Sequence, residues 1–145
     1  MARLDRVRLT SGVFPYVCEV PTRFTDIDVL GHVNNVAAAA IFQEARARFS
    51  HACGLVGVMN GLALVVASMT IEYADEMRHP DPVQVSVGLI ELGRTSYRLG
   101  QVARQNGRIG AYAEIVQVAS SNGASAPFGE AWRAKLESLK ITYPG

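Results

Sequence analysis

Apolar residues recur at spacings of three and four through Ala38, Ile41, Phe42, Ala45, Phe49 and Ala52. Gln43, Glu44, Arg46 and Arg48 fill much of the other side, so the pattern predicts one amphipathic helix over residues 34–53. Asn34 or Asn35 suits its N-cap, and Gly54 its C-terminal stop. Such a helix would be about 27 Å long. From Ala63 the period falls to two. Val65, Ala67, Met69, Ile71 and Tyr73 alternate with Val66, Ser68, Thr70 and Glu72. After the breaker His79-Pro80-Asp81-Pro82, Val83, Val85, Val87 and Leu89 alternate with Gln84, Ser86, Gly88 and Ile90. Both runs predict half-buried strands. Two more strands, over residues 94–104 and 108–119, flank the hairpin signal Asn106-Gly107. Residues 14–20 predict a strand ahead of the helix. Residues 120–127 read as a loop of small polar residues, and 130–139 as a short C-terminal helix with Trp132, Leu136 and Leu139 on one side.

The order is strand, long helix, then four strands joined largely by short turns. Short turns make neighbouring strands antiparallel. A single helix covering one face of an antiparallel sheet is an α+β layer architecture. A length of 145 residues fits one domain over 1–145. At 49% hydrophobic and 19% charged, the chain can fill a core, which excludes disorder. Fourteen Lys+Arg against 13 Asp+Glu leave a formal charge of +1. That balance disfavours nucleic acid and anionic membrane as partners. Cys18 and Cys53 lie among apolar residues and read as buried small hydrophobes, not as a disulfide framework. The N-terminal segment lacks the apolar run of a signal peptide, and no stretch reaches the ~20 apolar residues of a membrane span. The expectation is a soluble cytoplasmic protein.

The chemistry concentrates in Thr22-Arg23-Phe24-Thr25-Asp26-Ile27-Asp28-Val29-Leu30-Gly31-His32-Val33-Asn34-Asn35, directly before the long helix. A helix N-terminus offers unpaired N–H groups and a partial positive charge, which can stabilise an oxyanion. A nearby carboxylate can act as nucleophile or general base. Gly31 lets the chain turn tightly beside a ligand. These are the ingredients of acyl transfer. The same residues also have a purely structural reading, in which Asp26 or Asp28 orders the loop and Asn34 or Asn35 caps the helix. Asp26 and Asp28 are spaced like alternate calcium ligands, but the rest of a calcium loop and its closing Glu are missing, so no metal is expected. No nucleophile elbow surrounds Ser96, and no Walker or dinucleotide glycine motif occurs.

The segment resembles the hotdog-fold acyl-CoA thioesterases of the 4-hydroxybenzoyl-CoA thioesterase-like branch. The resemblance rests on Arg23-Phe24-Thr25-Asp26-Ile27-Asp28, Gly31-His32-Val33-Asn34-Asn35 and Phe42-Gln43-Glu44-Ala45-Arg46. Leu92-Gly93-Arg94-Thr95-Ser96-Tyr97 extends it to a strand junction, and it covers residues 14–121. It implies an antiparallel sheet wrapped around the central helix and hydrolysis of acyl-CoA thioesters without a cofactor. The family's essential carboxylate falls on Asp28, as nucleophile or base, and its oxyanion N–H on Asn35. His32 matches a histidine of the acyl-ACP thioesterase branch, although Leu30 stands where that branch has a catalytic Asn. Gly31, Asn34, Ala38 and Arg94 fall at substrate-binding positions, Arg94 where relatives bind coenzyme A phosphates. Ala38 and Ile41 replace tyrosines common in relatives, which reads either as a widened acyl pocket or as close helix–sheet packing. The resemblance further implies a homodimer or homotetramer with sites between subunits. An acyl-carrier-protein thioesterase and a non-catalytic acyl-CoA-binding protein are the rival readings.

Overall fold

The computed structural model describes residues 3–56 and 61–144. Its elements run α1 (Arg6–Ser11), β1 (Tyr16–Val20), a 3-10 turn (Phe24–Asp26), α2 (Asn35–Ala52), β2 (Ala63–Tyr73), β3 (Val83–Leu92), β4 (Ser96–Gln105), β5 (Arg108–Ser121), β6 (Ala124–Ser125) and α3 (Glu130–Glu137). The strands form one antiparallel sheet in the order β1-β3-β4-β5-β2, with β6 folded back on β5. This is the expected hotdog architecture: a curled sheet wrapped around a long helix.

The core lies between α2 and the concave face. Phe42 and Phe49 from the helix and Val83, Val85 and Val87 from β3 are fully buried there. Burying each such side chain contributes about 1.5–3 kcal/mol. Trp132 of α3 closes one end, stacking on Phe128 and donating its indole N–H to the Leu55 carbonyl at 3.1 Å. The predicted helical stripe needs two corrections. Ala52 is exposed, and Arg46, expected on the polar side, is buried. Four residues beyond Phe42, it lies only about 40° around the helix, so its stem runs along the sheet.

β2 differs from its predicted alternation because a bulge at Ala67 shifts the register between Val66 and Ser68. An extra residue reverses which side chains point inward. Leu64, Met69 and Ile71 therefore face the core, while Val65 is 52% and Val66 47% exposed. The predicted loop at 120–127 contains a small hairpin, β5 to β6, turning at Asn122 and Gly123, both at positive φ. α1 carried no clear sequence period. Cys18 and Cys53 are half-buried at the core margin, not fully buried.

The convex face is also covered. Leu4, Leu9 and Ile141 pack on Val102 and Tyr112 in a second apolar cluster. Glu72 fastens this N-terminal segment, accepting from the Leu4 N–H at 2.7 Å and from Arg6 Nε at 2.7 Å. No helix among the described residues is long and apolar enough to cross a membrane.

Candidate active site

Asp26 builds the base of the loop ahead of α2. It is 3% exposed. Its Oδ2 accepts from the Arg23 N–H at 2.8 Å, and its Oδ1 accepts from Arg23 Nη2 at 3.0 Å. Its carbonyl accepts both the Asn34 N–H and Asn34 Nδ2, each at 2.9 Å. Asn34 Oδ1 in turn caps α2 by accepting from the Ala37 N–H at 2.8 Å. Both ends of the Asn34 amide are thus engaged in tying the loop to the helix.

Between Asp26 and Asn34 the chain makes a tight excursion. Gly31 donates to the Asp28 carbonyl at 3.0 Å and has φ +83°, a conformation favouring glycine. Asp28 Oδ1 accepts from the Leu30 N–H at 2.9 Å and the His32 N–H at 3.4 Å, an Asx turn. Asp28 Oδ2 accepts no hydrogen bond among the described residues. The His32 ring meets Glu76 with Nε2 at 3.0 Å from Oε2. Val33 donates to the Met77 carbonyl at 2.8 Å, docking the loop on the segment after β2.

α2 begins at Asn35. With Asn34 satisfying Ala37, the Asn35 and Val36 N–H groups find no acceptor among the described residues. The Tyr73 O–H donates to the Asn35 carbonyl at 3.2 Å, holding the first turn against the end of β2. Burial raises the Tyr73 phenol above its ordinary pKa, so it remains a neutral donor. One segment therefore presents a carboxylate with a free oxygen, a histidine paired to Glu76, and two free helix amides. Among the described residues no group of three or more His, Cys, Asp and Glu side chains is placed to hold a metal ion.

Two expected site residues lie elsewhere. Ala38 is 1% exposed and belongs to the core, where it packs α2 closely on the sheet. Arg94 is exposed in the turn before β4. The Asp28 loop docks near Met77, and Gln105 at the far end of β4 binds the Arg78 N–H at 2.7 Å. The ten residues of β4 put roughly 30 Å between Arg94 and that end. Arg94 and Asp28 of one chain thus stand at opposite ends of the sheet. Glu44 pairs with Arg48 on the exposed side of α2 at 3.2 Å, beside a cleft of about 300 Å³ that also reaches Asp26 and Ile41. Sequence reasoning missed Tyr73 and Glu76. Nothing in their local pattern links them to the loop, because both reach it only through the return of β2.

The sequence profile of the thioesterase-like superfamily matches residues 22–136. The chain belongs to this superfamily. A thioesterase from Thermus thermophilus, complexed with coenzyme A and Zn, is similar at 34% identity with a TM-score of 0.79, over 88% of this chain and 95% of that one. YbaW, a probable thioesterase from Escherichia coli, shares the fold at 24% identity and TM-score 0.72, over 85% of this chain and 97% of its own. A probable thioesterase from Bartonella henselae does so at 16% identity and TM-score 0.73, over 81% and 100%. A search of curated protein sequences finds no match. The thioesterase-like chain is a thioester hydrolase of the hotdog fold.

Proposed function

We propose that this hydrolase acts on acyl-CoA thioesters, with Asp28 as the reacting carboxylate and the start of α2 as the oxyanion site. The observation that carries the reading is the pairing of a half-satisfied carboxylate with free helix amides. Asp28 Oδ1 is fixed by two backbone donors, which leaves Oδ2 to act. A thioester carbonyl polarised by the Asn35 N–H develops negative charge on oxygen as it is attacked. Asp28 either attacks the carbonyl carbon, expelling the coenzyme A thiolate to leave an acyl–Asp28 anhydride that water then hydrolyses, or takes a proton from the water that attacks in its place. In the second case the tetrahedral intermediate collapses with cleavage of the C–S bond. The proton held by Asp28 passes to the departing thiolate, giving free acid and coenzyme A. His32, fixed by Glu76, orders the loop through its N–H to Asp28. The coenzyme A assignment is supported by the similar Thermus thermophilus thioesterase, which is complexed with it.

The acting unit in this reading is a homodimer formed along β2. This strand pairs only with β5 and leaves its other edge open among the described residues. Val65, Val66 and Tyr73 on it, and Val29, Leu30 and Val36 beside it, are all exposed. Open edges and contiguous apolar surface both favour association. Antiparallel pairing of two β2 strands about a twofold reverses one copy end for end. The partner subunit's Arg94 then comes to the Asp28 end, where its guanidinium suits a coenzyme A phosphate.

The direct test is thiol release from a panel of acyl-CoA thioesters, with acyl-carrier-protein thioesters run in parallel. Turnover of acyl-CoA that is lost in Asp28→Asn is the expected result. Turnover confined to carrier-protein thioesters, or none on any thioester, would refute the assignment.

A further inference from the structure

Arg46 is the one strongly buried arginine of the described residues, at 8% exposure, and it faces no carboxylate in any ion pair among them. Its Nη1 donates to Gln101 Oε1 at 3.1 Å, and Gln101 Nε2 donates to the Phe42 carbonyl at 3.0 Å. No other hydrogen bond to the guanidinium is formed among the described residues. No buried side-chain nitrogen or oxygen among them lacks a partner, so the remaining donors of Arg46 touch accessible space. Burial pushes the guanidinium below its ordinary pKa, the sign of a cation that has lost water without gaining an anion.

Arg46 leaves α2 toward Gln101 of β4, on the side of the helix that faces β5 and β2. Across the sheet from Gln101 stands Ala113, small and fully buried, and beside Ala113 stands the half-buried Ile71. Gln101 meets the helix at the level of Phe42, seven residues and about 10 Å along the axis from Asn35. A side chain on α2 leans toward the helix N-terminus, so the Arg46 head sits near that level. The stem between is apolar, and the head offers a planar fork of donors.

We propose that Arg46 is a specificity-determining residue that receives a carboxylate at the far end of the acyl group, so that ω-carboxyacyl thioesters are preferred. An unpaired buried guanidinium is unfavourable, and a bound carboxylate compensates it with charge-assisted, bidentate hydrogen bonds. A chain of about eight carbons spans the 10 Å from the helix start. Gln101 is a positioning residue that holds the fork in place.

This inference rests on the acyl-CoA reading, and the experiment separates the two. Suberyl-CoA and octanoyl-CoA have equal length and differ by one terminal carboxylate. Wild type is expected to favour suberyl-CoA by at least about tenfold in kcat/KM, chiefly through KM. Arg46→Met should collapse that ratio to about one, and Arg46→Lys should restore part of it. Free suberate, but not octanoate, should raise the melting temperature of wild type, and neither should raise that of Arg46→Met. If no acyl-CoA is hydrolysed, the acyl-CoA reading falls and suberate stabilisation alone decides the Arg46 site. Equal use of the two thioesters together with no stabilisation by suberate overturns the inference. So does a switch to monomers in Arg46→Met, which would assign the missing carboxylate to a second copy of the chain. Should Arg46→Met fail to fold, Gln101→Leu and Arg46→Lys carry the same comparison.

Discussion

Asp28→Asn isolates chemistry from structure at the proposed site. The carboxylate has two jobs in the reading above. Oδ1 organises the loop by accepting from Leu30 and His32, and Oδ2 reacts. Asparagine keeps an Oδ1 acceptor for both N–H groups but cannot act as base or nucleophile. Turnover should fall at least about 100-fold, equivalent to about 2.7 kcal/mol of transition-state free energy. The melting temperature should stay within about 1 °C of wild type. Asp28→Ala removes the acceptor as well. Hydrogen bonds at 2.9 and 3.4 Å contribute about 0.5–1.5 kcal/mol each, the longer one near the low end. The alanine variant should therefore lose a further 1–2 kcal/mol of stability, roughly 2–8 °C in melting temperature. The assay is kcat and KM on a purified, hydrolysable acyl-CoA, with calorimetry of all three proteins. Asn at more than a tenth of wild-type turnover would refute Asp28 as the reacting group. An inactive Asn variant with the stability of Ala would mean that the loop, not the chemistry, had been removed.

Ala38→Tyr should destabilise the protein by about 1–3 kcal/mol, because Ala38 is core and a phenol there overpacks the helix–sheet contact; calorimetry checks it, and unchanged stability would mean that the site opens onto free space. Val66→Lys, on an exposed edge position, should fold normally yet run as a monomer by light scattering with activity down at least about tenfold; a fully active monomer would remove the dimer from the reading. The Glu72 carboxyl is held below its ordinary pKa, first by the Leu4 N–H and then by Arg6. Its contribution is present above the ordinary carboxylate range and is lost as pH falls through the lowered value, so the protection factors for hydrogen exchange at residues 3–11, relative to the intrinsic rate at each pH, should fall on acidification and should be low at every pH in Glu72→Gln.

What could be read from the chain was whatever depends on local pattern. α2 and its Asn34 cap follow from period and capping chemistry, and the structure has them at almost the same residues; β3 falls where expected, but Ser86 and Gly88 are buried as well, because the terminal segments cover the convex face. The Asp26–Asn35 segment was legible because its composition is odd for a loop. Contacts made through chain return were not. The bulge at Ala67 changes which residues of β2 face inward, and no strand period announces one extra residue. Arg46 misled for a related reason. Hydropathy assigns an arginine to the polar side, but its position around α2 lies beside Phe42, and only Gln101 from β4 explains how it is tolerated there. Ala38 was compatible with two readings until its burial placed it in the core.

A single helix on one side of a sheet leaves the other face bare, and that alone would argue for a partner. Here α1 and the segment around Ile141 cover the convex face, so that argument no longer applies. One strip of exposed apolar residues follows the β2 edge and the mouth of the loop, with Val65 and Val66 on the strand, Val29 and Leu30 at the turn and Val36 on the first helical turn, while Val7, Val13, Val17 and Phe24 are exposed elsewhere. The same strip borders the free amides of α2 and the β2 side on which Arg46 lies. A second copy seated there and an acyl chain entering there use one surface. In the proposed dimer the contact along β2 would form one wall of the proposed acyl channel, and substitutions along β2 should then alter substrate preference and oligomeric state together. Substitutions beneath α1, on the closed convex face, should alter stability alone.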